Sequence, residues 1–129
     1  MRIEIIPCLQ DNYSYLIIDE INNNACVVDP SEAEPVINFI EKNNINLKYI
    51  LNTHHHFDHI GGNIDLKKKY NSIVVGYKND ANRIPEIDIL IEDNQLWRAE
   101  NFEAKILHIP GHTTGHINYL VFPYMPSCV

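Results

Sequence analysis

The segment Thr53-His54-His55-His56-Phe57-Asp58-His59 crowds histidines around one carboxylate. It follows the short apolar run Leu47–Leu51, which reads as a buried strand. A chain leaving a strand stays extended for a few residues, and in extended backbone residues two apart point the same way. His54 and His56 can therefore converge on one metal ion, while His55 points away and reads as a surface or packing residue. Asp58 and His59 fall where the chain turns towards the next helix, so they can reach the same pocket from another side. Packing has no use for such a set, because burying imidazoles and a carboxylate unpaired is costly. Imidazole with carboxylate suits Zn(II), and also Fe(II) or Mn(II). Asp58 is in addition the candidate catalytic carboxylate.

A second cluster, His108-Ile109-Pro110-Gly111-His112-Thr113-Thr114-Gly115-His116, closes a strand with a glycine-flanked loop. Glycine permits the tight turns and close backbone approach that would push His112 into a metal site. His108 belongs to the strand pattern and reads as a satisfied strand histidine. His116 is better suited to holding the loop by hydrogen bonding than to direct ligation, and Asp29 is a second candidate for that supporting role. Three histidines with an open position make a catalytic pattern rather than a closed structural one. A metal so held lowers the pKa of bound water to about 7 and can polarise a carbonyl, so no serine or cysteine nucleophile is required. Residue types and spacing reach a metal-activated hydrolase and stop there.

The elements that must position these residues alternate. Strands are expected over Arg2–Ile6, Tyr13–Ile18 and Ala25–Val28, with turns at Asp11-Asn12 and Asn22-Asn23-Asn24. A helix is expected within Ser31–Asn43, with Val36, Ile37 and Ile40 on one face, Pro35 in its first turn and Asn43-Asn44 stopping it. After the metal segment, Gly61-Gly62 leads into a second helix to about Tyr70. Further strands follow at Ser72–Tyr77, Ile87–Ile91, Gln95–Trp97, Phe102–Ile109 and Ile117–Phe122. This order implies α/β layering with mixed pairing. Two prolines in Pro123–Val129 argue against a regular central strand there, leaving the Ile117–Phe122 strand bare. Residues 1–122 read as part of one domain and 123–129 as an atypical tail.

The chain has 129 residues, 45% hydrophobic and 21% charged, with a formal net charge of −7. That is an ordinary globular balance. Lys67-Lys68-Lys69 is the one basic run and reads as a solvated helix face, which argues against nucleic acid as the main partner. No stretch approaches the roughly 20 apolar residues of a membrane span, and Met1-Arg2-Ile3-Glu4 does not open a signal peptide. Cys8, Cys26 and Cys128 are too scattered for a disulfide framework and read as reduced thiols in a cytoplasmic protein, with Cys26 inside a strand.

His54-x-His56-x-Asp58-His59 resembles the signature of the metallo-β-lactamase fold superfamily. Together with Asp11-Asn12-Tyr13-x-Tyr15-Leu16, Val27-Val28-Asp29-Pro30, His59-x-Gly61-Gly62-Asn63 and Pro110-Gly111-His112-Thr113-x-Gly115-His116 it resembles glyoxalase II, over residues 1 to about 122. The resemblance implies a four-layer αββα sandwich with a two-metal site between its sheets, ideally two zinc ions. It implies that His54, His56 and His112 bind one ion and Asp58 and His59 the other. The implied substrate is a glutathione thioester, S-2-hydroxyacylglutathione, hydrolysed to glutathione and a 2-hydroxy acid. The family supplies a bridging aspartate and a further histidine later in its sequence, and after His116 no Asp or His remains here. The chain therefore looks like the first half of the fold, one mixed sheet with helices, with the opposite sheet missing and an apolar face left open. A second polypeptide could supply that half. The competing readings are a metal-binding remnant without turnover, or another hydrolase of the superfamily such as a lactonase or nuclease. The acidic balance disfavours the nuclease.

Overall fold

The computed structural model describes residues 1–9, 12–53, 60–108, 117–122 and 127–128. The first three strands, β1 (Arg2–Cys8), β2 (Asn12–Asp19) and β3 (Asn24–Val28), form an antiparallel meander. From β3 onwards the pairing becomes parallel. Helix α1 (Ala33–Asn43) crosses to β4 (Asn46–Leu51), helix α2 (Asn63–Tyr70) leads to β5 (Ile73–Tyr77), and β6 (Ile89–Ile91) joins the far edge. The result is a six-stranded mixed sheet in the order β1-β2-β3-β4-β5-β6. Both helices stop at an asparagine in the left-handed region: Asn44 after α1 (φ 53°), where the sequence leads one to expect it, and Asn71 after α2 (φ 55°).

Alternation along the strands sends apolar residues to both faces. Leu16, Ile18, Val27 and Ile50 face the helices and pack with Val36 and Ile40 of α1 and Leu66 of α2. Ile17, Cys26, Val28, Leu51 and Val75 face the other way. A sheet apolar on both faces needs a cover on each.

The second cover is present in this chain, and here the sequence-based expectation is corrected. Strands β7 (Leu96–Ala99), β8 (Phe102–His108), β9 (Ile117–Phe122) and β10 (Ser127–Cys128) form a four-stranded antiparallel sheet, ordered β10-β9-β8-β7. Trp97, Phe102, Ala104, Ile106, Ile117 and Tyr119 turn inwards and close a core against the first sheet. Tyr49 is gripped edge-on by Trp97 and Phe102, with ring centroids 5.3 Å and 6.2 Å away. The inner face of the first sheet is thus not left open. Among the described residues it is most open on the β1–β2 hairpin, where Ile5 is 59% and Tyr13 57% exposed. Nor is β9 bare, since β10 pairs with its outer edge through Ser127–Val121 and Cys128–Leu120. The strand is two residues long and begins after both prolines of the tail.

Cys8 and Cys26 are free and buried, as the sequence suggests. Burial, and then the charge of Glu100, pushes the Cys26 thiol well above its usual range, so it packs as a small apolar group. Among the described residues no helix is long and apolar enough to cross a membrane.

Candidate metal centre

The expected ligands His54, His56, Asp58, His59 and His112 lie outside the described residues, as do His116, expected in a supporting role, and His55, expected as a surface or packing residue. For His108, the last residue of β8, the backbone alone is described. What the structure does define is the frame from which both histidine segments leave.

That frame begins at the end of β3. Asp29 adopts a left-handed conformation (φ 51°), which aspartate tolerates better than most residues. Its backbone N–H donates to the Leu51 carbonyl at 3.0 Å, which sets it beside the end of the parallel strand β4. The turn aims its side chain at the residue just before the histidine motif. The carboxylate accepts the Thr53 backbone N–H at 2.8 Å and the Thr53 hydroxyl at 2.5 Å. The Asp29 carbonyl in turn accepts the Ser14 hydroxyl at 2.9 Å, and Ser14 also meets the Cys8 sulfur at 3.3 Å. Asp29, Ser14 and Thr53 are all buried. A carboxylate with two donors at one residue holds that residue's backbone in a single orientation.

The exit of the segment is held as firmly. Gly62 donates to the Pro30 carbonyl at 2.6 Å and opens α2. A Cβ on Gly62 would stand 2.9 Å from Ala33 N, Glu32 C and Pro30 O, so backbone passes where no side chain fits. Between these ends, Asn52 and Asn63 exchange side-chain hydrogen bonds, and both are fully buried.

The second histidine segment is rooted at the same place. The Ile117 N–H, first in β9, donates to the Thr53 carbonyl at 2.7 Å. The Tyr119 hydroxyl reaches the carbonyls of Asn52 at 2.8 Å and Val75 at 3.3 Å, tying the second sheet to the first beneath the motif. Burial, and then the negative charge of Asp29, pushes that phenol well above its ordinary range, so it remains a neutral donor. Thr53 therefore donates to Asp29 through its N–H and hydroxyl and, through its carbonyl, holds the strand that follows the His112 loop.

Asp29 is the one supporting residue expected from sequence that the structure describes, and it is buried and bonded at the root of the motif. Asn52, Thr53, Ser14 and Tyr119 carry roles that their sequence positions did not reveal. Among the described residues, no group of three or more His, Cys, Asp or Glu side chains could hold a metal.

The sequence model of the metallo-beta-lactamase superfamily matches residues 10–121. The chain belongs to the metallo-beta-lactamase superfamily. Within this superfamily, curated relatives named hydroxyacylglutathione hydrolase match at 41–65% identity. That from Pelagibacter ubique (strain HTCC1062) is 65% identical over 122 residues, covering 95% of this chain and 51% of the relative. The chain spans about half the length of the curated relatives it matches. The superfamily fold also returns among solved structures. The BLEG-1 B3 metallo-beta-lactamase aligns with a TM-score of 0.85 at 21% identity, over 93% of this chain and 67% of that one. A class B3 metallo-beta-lactamase, LRA-12 from an Alaskan soil metagenome, described as di-zinc, aligns with a TM-score of 0.73 at 22% identity, over 84% of this chain and 50% of that one.

Proposed function

We propose that this chain carries the metal-binding half of a hydroxyacylglutathione hydrolase, acting on a glutathione thioester of a 2-hydroxy acid in the cytoplasm. His54, His56 and His112 would hold one zinc ion, and Asp58 and His59 would contribute to a second. The observation that carries this reading is the 2.7 Å bond from Ile117 to Thr53. It roots the two histidine-bearing segments at one point, although they lie far apart in sequence. The donor set of imidazoles and a carboxylate fits zinc, with iron or manganese as the alternatives. When bound, the metal supplies Lewis-acid polarisation of a thioester carbonyl and a source of hydroxide at neutral pH.

The chain's own residues do the positioning. Asp29 fixes the peptide that enters His54. Gly62 lets the chain exit against Pro30, and Tyr119 locks the two sheets beneath. The names of the curated relatives support the thioester substrate. A second reading, metal binding without turnover by this chain alone, is favoured by its spanning about half the relatives' length.

The experiment measures zinc content and hydrolysis of S-D-lactoylglutathione by the zinc-loaded chain, beside His56→Ala and His112→Ala. Zinc bound by the wild type and lost from both variants is expected. Turnover lost with the zinc supports the hydrolase, and zinc binding without turnover supports the second reading. Unchanged zinc content in His56→Ala would refute the ligand assignment.

A further inference from the structure

Asn52 and Asn63 sit eleven positions apart on either side of the metal-binding segment. Asn52 follows the last residue of β4, and Asn63 is the first residue of α2. The Asn63 amide nitrogen donates to the Asn52 side-chain oxygen at 2.7 Å, and the Asn52 amide nitrogen donates back at 3.3 Å. Both residues are 0% exposed.

Stability alone does not explain this pair. Burying two amides is costly unless they are bonded, and an apolar pair of the same shape would stabilise the fold as well or better. What the amides add is direction. Two reciprocal bonds permit one separation and one orientation, whereas an apolar contact allows sliding. Asn52 is itself fixed to both sheets: its N–H donates to Val75 at 2.9 Å, and its carbonyl accepts the Tyr119 hydroxyl at 2.8 Å. The pair therefore refers the start of α2 to the sheets. The bond from Gly62 to Pro30 and the packing of Leu66 in the core also hold the helix, but neither ties the side chain of its first residue to the end of β4.

We propose that the Asn52–Asn63 pair is a positioning device for the metal-binding segment, setting metal affinity and coordination geometry by fixing how the segment's two ends face each other. The inference rests on the ligand assignment above. Neither asparagine touches the metal; both act through the histidine- and aspartate-bearing stretch between them.

The test uses the full 129-residue chain. Zinc affinity is measured by competition with a chromogenic chelator, and coordination by the visible spectrum of the cobalt(II)-substituted chain. The variants are Asn52→Ala, Asn63→Ala, the double variant and Ser72→Ala. The last is the control, because it removes a buried 2.8 Å bond to the Leu47 carbonyl at the opposite end of the same strands. Each asparagine variant is expected to weaken zinc binding by about tenfold to a hundredfold and to change the cobalt spectrum. The double variant is expected to be little worse than either single, because the two residues form one contact. Ser72→Ala should lower thermal stability and leave affinity and spectrum unchanged. If Asn63→Ala is recovered unfolded, Asn63→Asp, which is isosteric and keeps the acceptor but not the donor, is judged by the same criteria.

Wild-type affinity and spectrum in the asparagine variants overturn the inference, as does an equal loss in Ser72→Ala. Zinc binding that His56→Ala leaves untouched overturns the ligand assignment, and the inference with it. Binding that depends on His56 but not on the asparagines overturns the inference alone.

Discussion

Asp29 combines two demands in one residue, a left-handed backbone and a carboxylate with two donors, and substitutions can separate them. Asp29→Gly keeps the backbone conformation and removes the carboxylate. Hydrogen bonds to a charged group contribute about 1.5–3 kcal/mol each, so losing both Thr53 contacts should cost about 3 kcal/mol or more. Asp29→Ala loses the same bonds and adds the left-handed penalty of an ordinary side chain, about 1–2 kcal/mol more. Asp29→Asn tolerates the conformation, keeps an acceptor for the Thr53 N–H and turns an amide donor to the hydroxyl, so its cost is about 1 kcal/mol. Against a total stability of about 5–15 kcal/mol, the alanine variant gives up a large share. Urea unfolding of the metal-free chain, followed by circular dichroism, measures the series. The expected order of stability is wild type, Asn, Gly, Ala. An alanine variant as stable as the asparagine variant would refute the account of the carboxylate. A glycine variant less stable than alanine would refute the account of the backbone.

Gly62→Ala should destabilise the chain by about 1–3 kcal/mol in thermal unfolding, since its Cβ would meet three backbone atoms at 2.9 Å; a neutral effect would deny the close approach. Tyr119→Phe should cost about 1 kcal/mol in urea unfolding, because the ring still fills its place while the bond to the Asn52 carbonyl is lost. Asp19 links the turn after β2 to the turn between β7 and β8, accepting Asn101 at 2.7 Å and Asn22 at 3.0 Å. Those bonds, outweighing burial, hold its carboxyl below the usual carboxylate range. A folded pKa below the unfolded one makes its stabilisation complete above the ordinary carboxylate pKa and progressively lost as acid protonates the folded form. Asp19→Asn should flatten that part of the acid limb of a stability–pH profile, and an unchanged limb would contradict the linkage.

Much of the first sheet was legible because its signals are local. Alternation marks Tyr13–Ile18, a short apolar run marks Leu47–Leu51, and paired asparagines end the helix at Asn43. The second sheet was legible as strands but not as a cover. Arg98, Glu103 and Lys105 alternate with Trp97, Phe102 and Ala104, which says that one face is buried and leaves unsaid what buries it. That partner is set by contacts distant in sequence, such as Trp97 on Tyr49. At the site, Asp29 was singled out through its motif. Asn52 and Tyr119 were not, because their roles depend on a bond across 67 positions. The available hint was a buried-looking asparagine directly after an apolar strand and directly before the histidines.

The two faces of the first sheet each conceal a thiol. Cys8 lies under the helices and Cys26 between the sheets, at 1% and 0% exposure. A sealed thiol reacts with an alkylating reagent only when its surroundings open, so labelling rates read local opening on each side separately. With Cys128 replaced by serine, the chain carries its own pair of probes for whether helices or second sheet detach first. Protection of Cys26 that rises on adding zinc, with Cys8 unchanged, would locate the metal's grip at the seam between the sheets. Equal protection of both would mean that the three layers open as one.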